Sequence, residues 1–294
     1  MTLEATLSAQ RQNSKTFLAF LDWLWRQEFR ILRLRLYRLI REWMDQTPYE
    51  FEVRRRLPSV TLKPLDLILA SYNSRGEKST ILQIGACDGV TNDPIYHHVA
   101  KGMTRAILVE PNPYSFARLQ HTYAGLPNVT LIQSAIGYQN GEAYLYRVKR
   151  TDISDSDADL TLQIASFSRK HLEAHGTKPY EIERIIVPCR SLSSLVTELG
   201  LSNIDLLQID AEGFDADVVR MALKLPIPPV CIHFEHTHLT SANRRPLFNL
   251  LTANGYLLGR DTCNILALQM TFIEELSIDH DGATSGQAKG QLSP

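Results

Sequence analysis

Asp210, Glu212 and Asp215 follow directly on the apolar run Leu206-Leu207-Gln208-Ile209. Carboxylates gathered where a strand gives out can take up protons or hold a divalent cation. A second apolar run, Val230 to Phe234, ends in Glu235, His236 and, two residues on, His238. A third, Ile81 to Ile84, contains Gln83 and ends in Gly85, Ala86, Asp88 and Gly89. A fourth ends in Glu110, Pro111 and Asn112, and a fifth in Ser134 and Ala135. Two glycines let a ligand approach the backbone closely. A dinucleotide fingerprint, however, wants a third glycine beside the pyrophosphate, and Asp88 within the loop favours a cationic or amine-bearing ligand. Glu110 stands 25 residues after Gly85, the place for a carboxylate that accepts from both ribose hydroxyls. A nucleoside with a positive charge and no phosphate, such as S-adenosylmethionine, suits this set.

The elements that must position these residues alternate along the chain. Strands are predicted at 80–84, 105–110, 128–134, 142–148, 183–189, 204–209, 230–235, 256–260 and 263–269. Helices are predicted at 64–73, from Pro94, from Pro113, and near 167–175, 192–199, from 214 and 243–254. The continuous apolar strands argue for an α/β fold, a mostly parallel sheet with helices on both faces. Ligands then bind beyond the carboxyl ends of the strands, where the acids and glycines stand. The chain divides into an N-terminal helical extension and linker over 1–60, a catalytic domain over 61–278, and a tail from 279 rich in Gly, Ser and Asp. Within the extension, Trp25, Phe29, Leu32, Leu36, Leu39 and Trp43 make one helical seam over 17–44, flanked by arginines. That helix suits packing or homo-oligomerisation ahead of peripheral membrane contact.

The bulk numbers exclude some classes. The net charge is −1, so nucleic acid is not an expected partner. Residues 1–60 carry 11 Lys/Arg against 7 Asp/Glu, which confines any attraction to an acidic surface to the N-terminus. Cys87, Cys189, Cys231 and Cys263 have no metal-ligand spacing and are expected to be buried, reduced thiols of a cytoplasmic protein.

The stretches "ILQIGACDGVTNDPIY", "ILVEPNPYSFARLQ", "NVTLIQSAIG", "VPCRSLSSLV", "IDLLQIDAEGFDADVV" and "CIHFEH" occur in order over roughly residues 78–270. They resemble the successive motifs of the FkbM-type S-adenosylmethionine-dependent methyltransferases. The resemblance implies the class I methyltransferase fold, Rossmann-like, with seven strands and a last antiparallel one. It implies that Gly85, Ala86, Asp88 and Gly89 cradle the methionine part of the donor. Glu110 and the adjoining Pro111 would then meet the ribose, with Asn112, Ser134 and Ala135 near the adenine. Gln83 departs from the pattern, since many relatives carry an acid there, and Asp88 is expected to supply the missing charge. The N-terminal 60 residues lie outside the resemblance.

Methyl transfer to a hydroxyl of a sugar, glycolipid or secondary metabolite needs alignment and removal of a proton. Two arrangements can manage the proton. Either Asp210 or His236 is the base, with Glu212 at the site floor, or Asp210, Glu235 and His236 hold Mg²⁺. The first is preferred, because a DAEG turn also serves donor binding without metal. Asn92, Ser166, Phe167, His171, His236 and His238 are placed to touch the acceptor, the middle three from an irregular insert of the kind that forms lids. Asn92 and Asp93 also suit a helix cap before Pro94. Asp215 is assigned to a helix dipole, Asp217 to solvent, and His233, His97 and His98 to packing. A nicotinamide-dependent reductase and a non-catalytic binding module are the other classes considered. The missing third glycine counts against the reductase.

Overall fold

The strand Ser79–Ile84 (β1) is buried at all six positions, as befits a central strand covered on both faces. The computed structural model describes residues 78–149 except Met103, and 164–272 except Thr240 and Thr262, together with helical Leu65 and Leu69. The expected helix 17–44, the linker, the acidic loop 151–160 and the tail from 279 lie outside the described residues.

β1 pairs in parallel with Thr104–Val109 (β2) on one side and Leu206–Ile209 (β8) on the other. Outward from β2 lies Val129–Ile132 (β3), and outward from β8 lies Cys231–Glu235 (β9), both parallel. The sheet finishes with Asn264–Gln269 (β11), antiparallel to β9, and Tyr256–Asp261 (β10) at its edge. Its order is β10-β11-β9-β8-β1-β2-β3. This is the mostly parallel, seven-stranded α/β arrangement expected from the sequence, with a single strand reversed.

Alternate residues of each strand enter opposite cores, because strand side chains point alternately to the two faces. Ile81, Ala106 and Leu108 join Leu65, Leu69, Val99 and Leu119 on one face. Leu82, Ile107 and Val109 join Val218, Val219 and Leu247 on the other. The helices of these layers are Tyr96–Ala100 (α1), Pro113–Thr122 (α2), Leu192–Glu198 (α4), Asp215–Ala222 (α5) and Ser241–Ala253 (α6). Pro113 opens α2, and the Asn112 side chain caps it by accepting from the Tyr114 N–H at 3.3 Å.

A second sheet stands apart from the first. Its strands are Ala135–Gly137 (β4), Gly141–Val148 (β5), Ala165–Ser166 (β6) and Ile182–Ser191 (β7), in the order β4-β7-β5-β6. The run predicted as one strand over 128–134 therefore ends at Ile132, and the chain crosses into the second sheet after Ser134. A small core of Ala135, Leu145, Val187 and Cys189 holds it. The helix Arg169–Ala174 (α3) packs on β5 and β6.

All four cysteines are free. Cys189 and Cys231 are buried as expected. Cys87 is only partly covered and Cys263 is exposed in the β10–β11 turn, because both lie beyond the ends of their strands.

Candidate active site

The parallel strands β2, β1, β8 and β9 end on one rim, and the ends of β1 and β8 touch. Gly85 takes φ +81°, and a Cβ there would lie 1.7 Å from the Asp210 carbonyl oxygen. Only glycine fits, since both the backbone conformation and the contact exclude a side chain. The Gly85 and Ala86 N–H groups donate to the Val109 carbonyl at 2.9 and 3.1 Å, which turns the loop across the end of β2. Glu110 fixes it there. Its Oε2 accepts from the Cys87 N–H at 2.9 Å and its Oε1 from the Asn112 N–H at 2.7 Å. Burial pushes the Glu110 carboxyl up to about 7; these two N–H groups oppose the shift and the Glu212 charge adds to it.

Behind this loop lies a cleft of about 300 Å³, between the rim and the second sheet. That is the lower end of the range for small-molecule sites. Among the described residues, five carboxylates line it, from Asp93, Glu110, Asp210, Glu212 and Glu235, and no Lys or Arg does. Asp210 opens onto the cleft but is recessed among acids. Poor hydration of its carboxylate comes first, and the charges of Glu212, Asp215, Glu235 and Glu110 follow, so its pKa stands well above the usual carboxylate range. Burial likewise pushes Asp215 up to about 6, against N–H groups of Ala211 and Gly213 that donate to it. Asp215 is buried in the first turn of α5, as its assignment to the helix terminus requires. Cys87 is pushed up to about 12 by burial and by the charges of Glu110 and Asp88, so its thiol is neutral.

The cleft gathers many of the residues singled out in the sequence. Gln83, Gly85, Ala86, Glu110 and Pro111 line it from β1 and β2. Ser134 and Ala135 come from the crossing into the second sheet, Asn92 from the first loop and Phe167 from the insert. Asp210, Glu212, Glu235 and His238 complete it from β8 and β9.

Six others lie elsewhere, among them His171, whose ring stands beside the cleft against His175 and His238. Asp88 is turned into its own loop, where Val90 N–H, Thr91 N–H and the Thr91 hydroxyl donate to it, and Arg118 stands 3.4 Å away. Its carboxylate is therefore engaged, and does not supply the charge that Gln83 lacks. Gly89 packs under Leu119 and Tyr123. Asn112 caps α2 and accepts from Arg147 Nη1 at 2.9 Å. Ser166 is buried and donates to the Glu212 carbonyl at 2.7 Å. His236 does not line the cleft: Glu235 points in and His238 lines it, while the His236 N–H donates to the Cys263 carbonyl. Strand alternation carried past the end of β9 turns the intervening residue away. The set Asp210, Glu235 and His236 is accordingly not assembled around a common point. His233 is packed inside β9, its Nδ1 2.6 Å from Gln208 Oε1. Asp217 is half-buried beside Tyr138 and Arg220.

Asp93, for which the sequence allows a helix cap or a ligand role, makes the cap and also lines the cleft. Asp93 accepts from the Ile95 and Tyr96 N–H groups through Oδ1, the expected cap, but its Oδ2 accepts from Gln83 Nε2 at 3.0 Å. The acid missing at position 83 is thus replaced by one held against it, ten residues on. His175, at the C-terminal cap of α3 one turn beyond His171, lines the cleft and escaped the sequence reasoning; the HxxxH spacing was its only signal.

The sequence matches the methyltransferase FkbM domain over residues 83–258. It is similar to the 2-O-methyltransferase NoeI of Sinorhizobium fredii, 26% identical over 176 residues, covering 60% of this chain and 70% of that protein. Among solved structures it is similar to methyltransferase FkbM of Methylobacillus flagellatus, with 14% identity, a TM-score of 0.40 and 65% of this chain covered. This chain spans 43% of the length of that one. It is also similar to the O-methyltransferase of Bacillus cereus in complex with SAH, with 13% identity, a TM-score of 0.35, and 72% and 84% of the two chains covered.

Proposed function

Because this chain belongs to the FkbM methyltransferase family, we propose that it transfers a methyl group from S-adenosylmethionine to a hydroxyl of a small-molecule or glycan acceptor. The observation that carries this is the charge of the cleft: among the described residues it is lined by five carboxylates and no Lys or Arg. Such a lining repels a pyrophosphate and suits a donor that bears a sulfonium and an ammonium. It counts equally against a nicotinamide dinucleotide. The similarity to a 2-O-methyltransferase supports oxygen as the atom methylated.

The donor's parts find fitting partners along the rim. Glu110 faces the cleft with a carboxylate for the ribose hydroxyls. The Gln83–Asp93 pair stands at the end of β1 for the ammonium group. Pro111, Ser134 and Ala135 border the space left for the base. When bound, S-adenosylmethionine supplies an electrophilic methyl on a thioether leaving group, so the protein's task is alignment and proton removal.

Asp210 is the proposed base. Burial first, and then the charges of the neighbouring acids, raise its proton affinity above that of an ordinary carboxylate, which makes it a stronger base. As the acceptor oxygen forms its bond to the methyl carbon, the bond to sulfur breaks and its electron pair stays on sulfur. The acceptor's proton passes to the Asp210 carboxylate. Phe167 and the second sheet cover the cleft and limit competing attack by water.

Calorimetry with S-adenosylhomocysteine and with NADH tests the assignment. Binding of the first and not the second is expected. NADH binding without S-adenosylhomocysteine binding would overturn it.

A further inference from the structure

Three imidazoles and one carboxylate converge beside the cleft from three separate elements. His171 comes from α3 and His175 from its C-terminal cap, Glu212 from the turn after β8, and His238 from the turn after β9. One ligand atom from each lies within 4.8 Å of the other three. His171 Nε2 is 2.7 Å from Glu212 Oε2. The rings of His171, His175 and His238 stand 4.6 to 4.9 Å apart, centroid to centroid.

The backbone is committed to this presentation. Glu212 has φ +46°, a left-handed conformation that residues with a Cβ seldom adopt. The Ser166 hydroxyl, donating to the Glu212 carbonyl, holds it there. Gly213 follows at φ +93°, where even a Cβ would come within 3.2 Å of His171 Nδ1. Behind His238, Glu235 Oε2 lies 3.4 Å from its Nε2, a carboxylate beside a ligand histidine.

We propose that His171, His175, His238 and Glu212 form a binding site for a divalent transition-metal ion of the zinc class. Imidazole nitrogens with one carboxylate suit Zn²⁺, whereas Mg²⁺ takes oxygen ligands. Four ligands around a tetrahedral zinc stand about 3.3 Å from one another. The cluster must therefore draw in somewhat, and His175 and His238 are exposed side chains with room to do so. Glu212, His175 and His238 also line the cleft, so the ion would face it. A role in holding the acceptor's oxygen rests on the proposed methyl transfer; ion binding does not.

The test uses the untagged full chain, stripped with a chelator and titrated with Zn²⁺ by calorimetry and with Co²⁺ by visible absorption. A single ion per chain is expected. His175→Ala and His238→Ala should each weaken it by about tenfold or more, while replacing exposed His97 of α1, His97→Ala, should change nothing. Thermal melts and S-adenosylhomocysteine binding verify that the variants fold. No Zn²⁺ heat and no Co²⁺ spectrum, or binding that both variants leave unchanged, would overturn the site. S-adenosylhomocysteine binding without Zn²⁺ binding defeats this inference alone; Zn²⁺ binding without S-adenosylhomocysteine binding defeats the methyl-transfer proposal alone.

Discussion

Lowering the pH from 8 to 6 should weaken S-adenosylhomocysteine binding about tenfold, through Glu110. Burial pushes this carboxyl up to about 7, and ribose hydroxyls donate, so they prefer its ionised form. A group titrating near 7 is about ten-elevenths ionised at pH 8 and about one-eleventh at pH 6, a ratio of about ten, or about 1.4 kcal/mol. The same shift sets a stability trend of definite sign. The folded chain holds the Glu110 proton more tightly than the unfolded chain does. Stability is therefore full below the ordinary value of 4.5 and is lost as pH rises to about 7, by about 3 kcal/mol. Donor binding offsets this loss at neutral pH. Calorimetric titrations and thermal melts across pH 5–8 read both effects. Glu110→Gln should bind more weakly throughout, since one backbone N–H loses its acceptor, and its affinity should no longer vary with pH. Equal pH dependence in both proteins would refute the assignment to Glu110, and a flat profile in the parent protein would refute the argument from burial.

Four further outcomes follow from the geometry. Asp210→Asn should lower turnover by about 10²–10⁴-fold while changing S-adenosylhomocysteine affinity far less; turnover within a few-fold of the parent would remove Asp210 as the base. Gly85→Ala should abolish S-adenosylhomocysteine binding, because its Cβ would lie 1.7 Å from the Asp210 carbonyl oxygen, and retained affinity would show that the loop moves freely. Asp205→Ala should cost about 1–3 kcal/mol in urea denaturation, since the buried Asp205 side chain accepts from the Thr80 N–H at 2.6 Å and ties β8 to β1. A thiol reagent followed by mass spectrometry should label exposed Cys263 and leave fully buried Cys231 unmodified in the folded protein; rapid labelling of Cys231 would contradict its packing.

The parallel sheet was legible because its strands are continuous apolar runs and four of them, β1, β2, β8 and β9, end in glycine or acid. The echo between "ILQIGACDG" and "LLQIDAEG" corresponds to a real adjacency, for Gln83 pairs with Gln208 and Ile84 with Ile209. The second sheet was not legible as a sheet. β4 and β7 pair across some fifty residues of chain, and local pattern carries no record of which strand a strand will meet. Asp88 and His236 misled for a related reason. Residue type places an acid or a histidine at a strand end, but its direction depends on which backbone N–H groups are within reach and on where alternation leaves the side chain. Asp88 found partners inside its own turn, whereas Asp93 retained an oxygen for Gln83. Three members of the histidine cluster, His171, Glu212 and His238, were named from the sequence, but their convergence with His175 was not, since His171 and Glu212 stand 41 residues apart in the chain.

The small core under the second sheet has one more consequence. Ala135, Leu145, Val187 and Cys189 pack among themselves and belong to neither large core. The cover of the cleft is thus a module with its own foundation, set above a base whose strands answer to a different set of contacts. Hydrogen exchange should open such a cover before the base, because few buried contacts must break. Strands β5 and β6 could also be remodelled, in chimeras or by drift, while β4, whose Ile136 packs in the larger core with Leu82 and Ile84, stays in place. Breadth of acceptor choice and constancy of donor chemistry would then have separate physical seats in one chain.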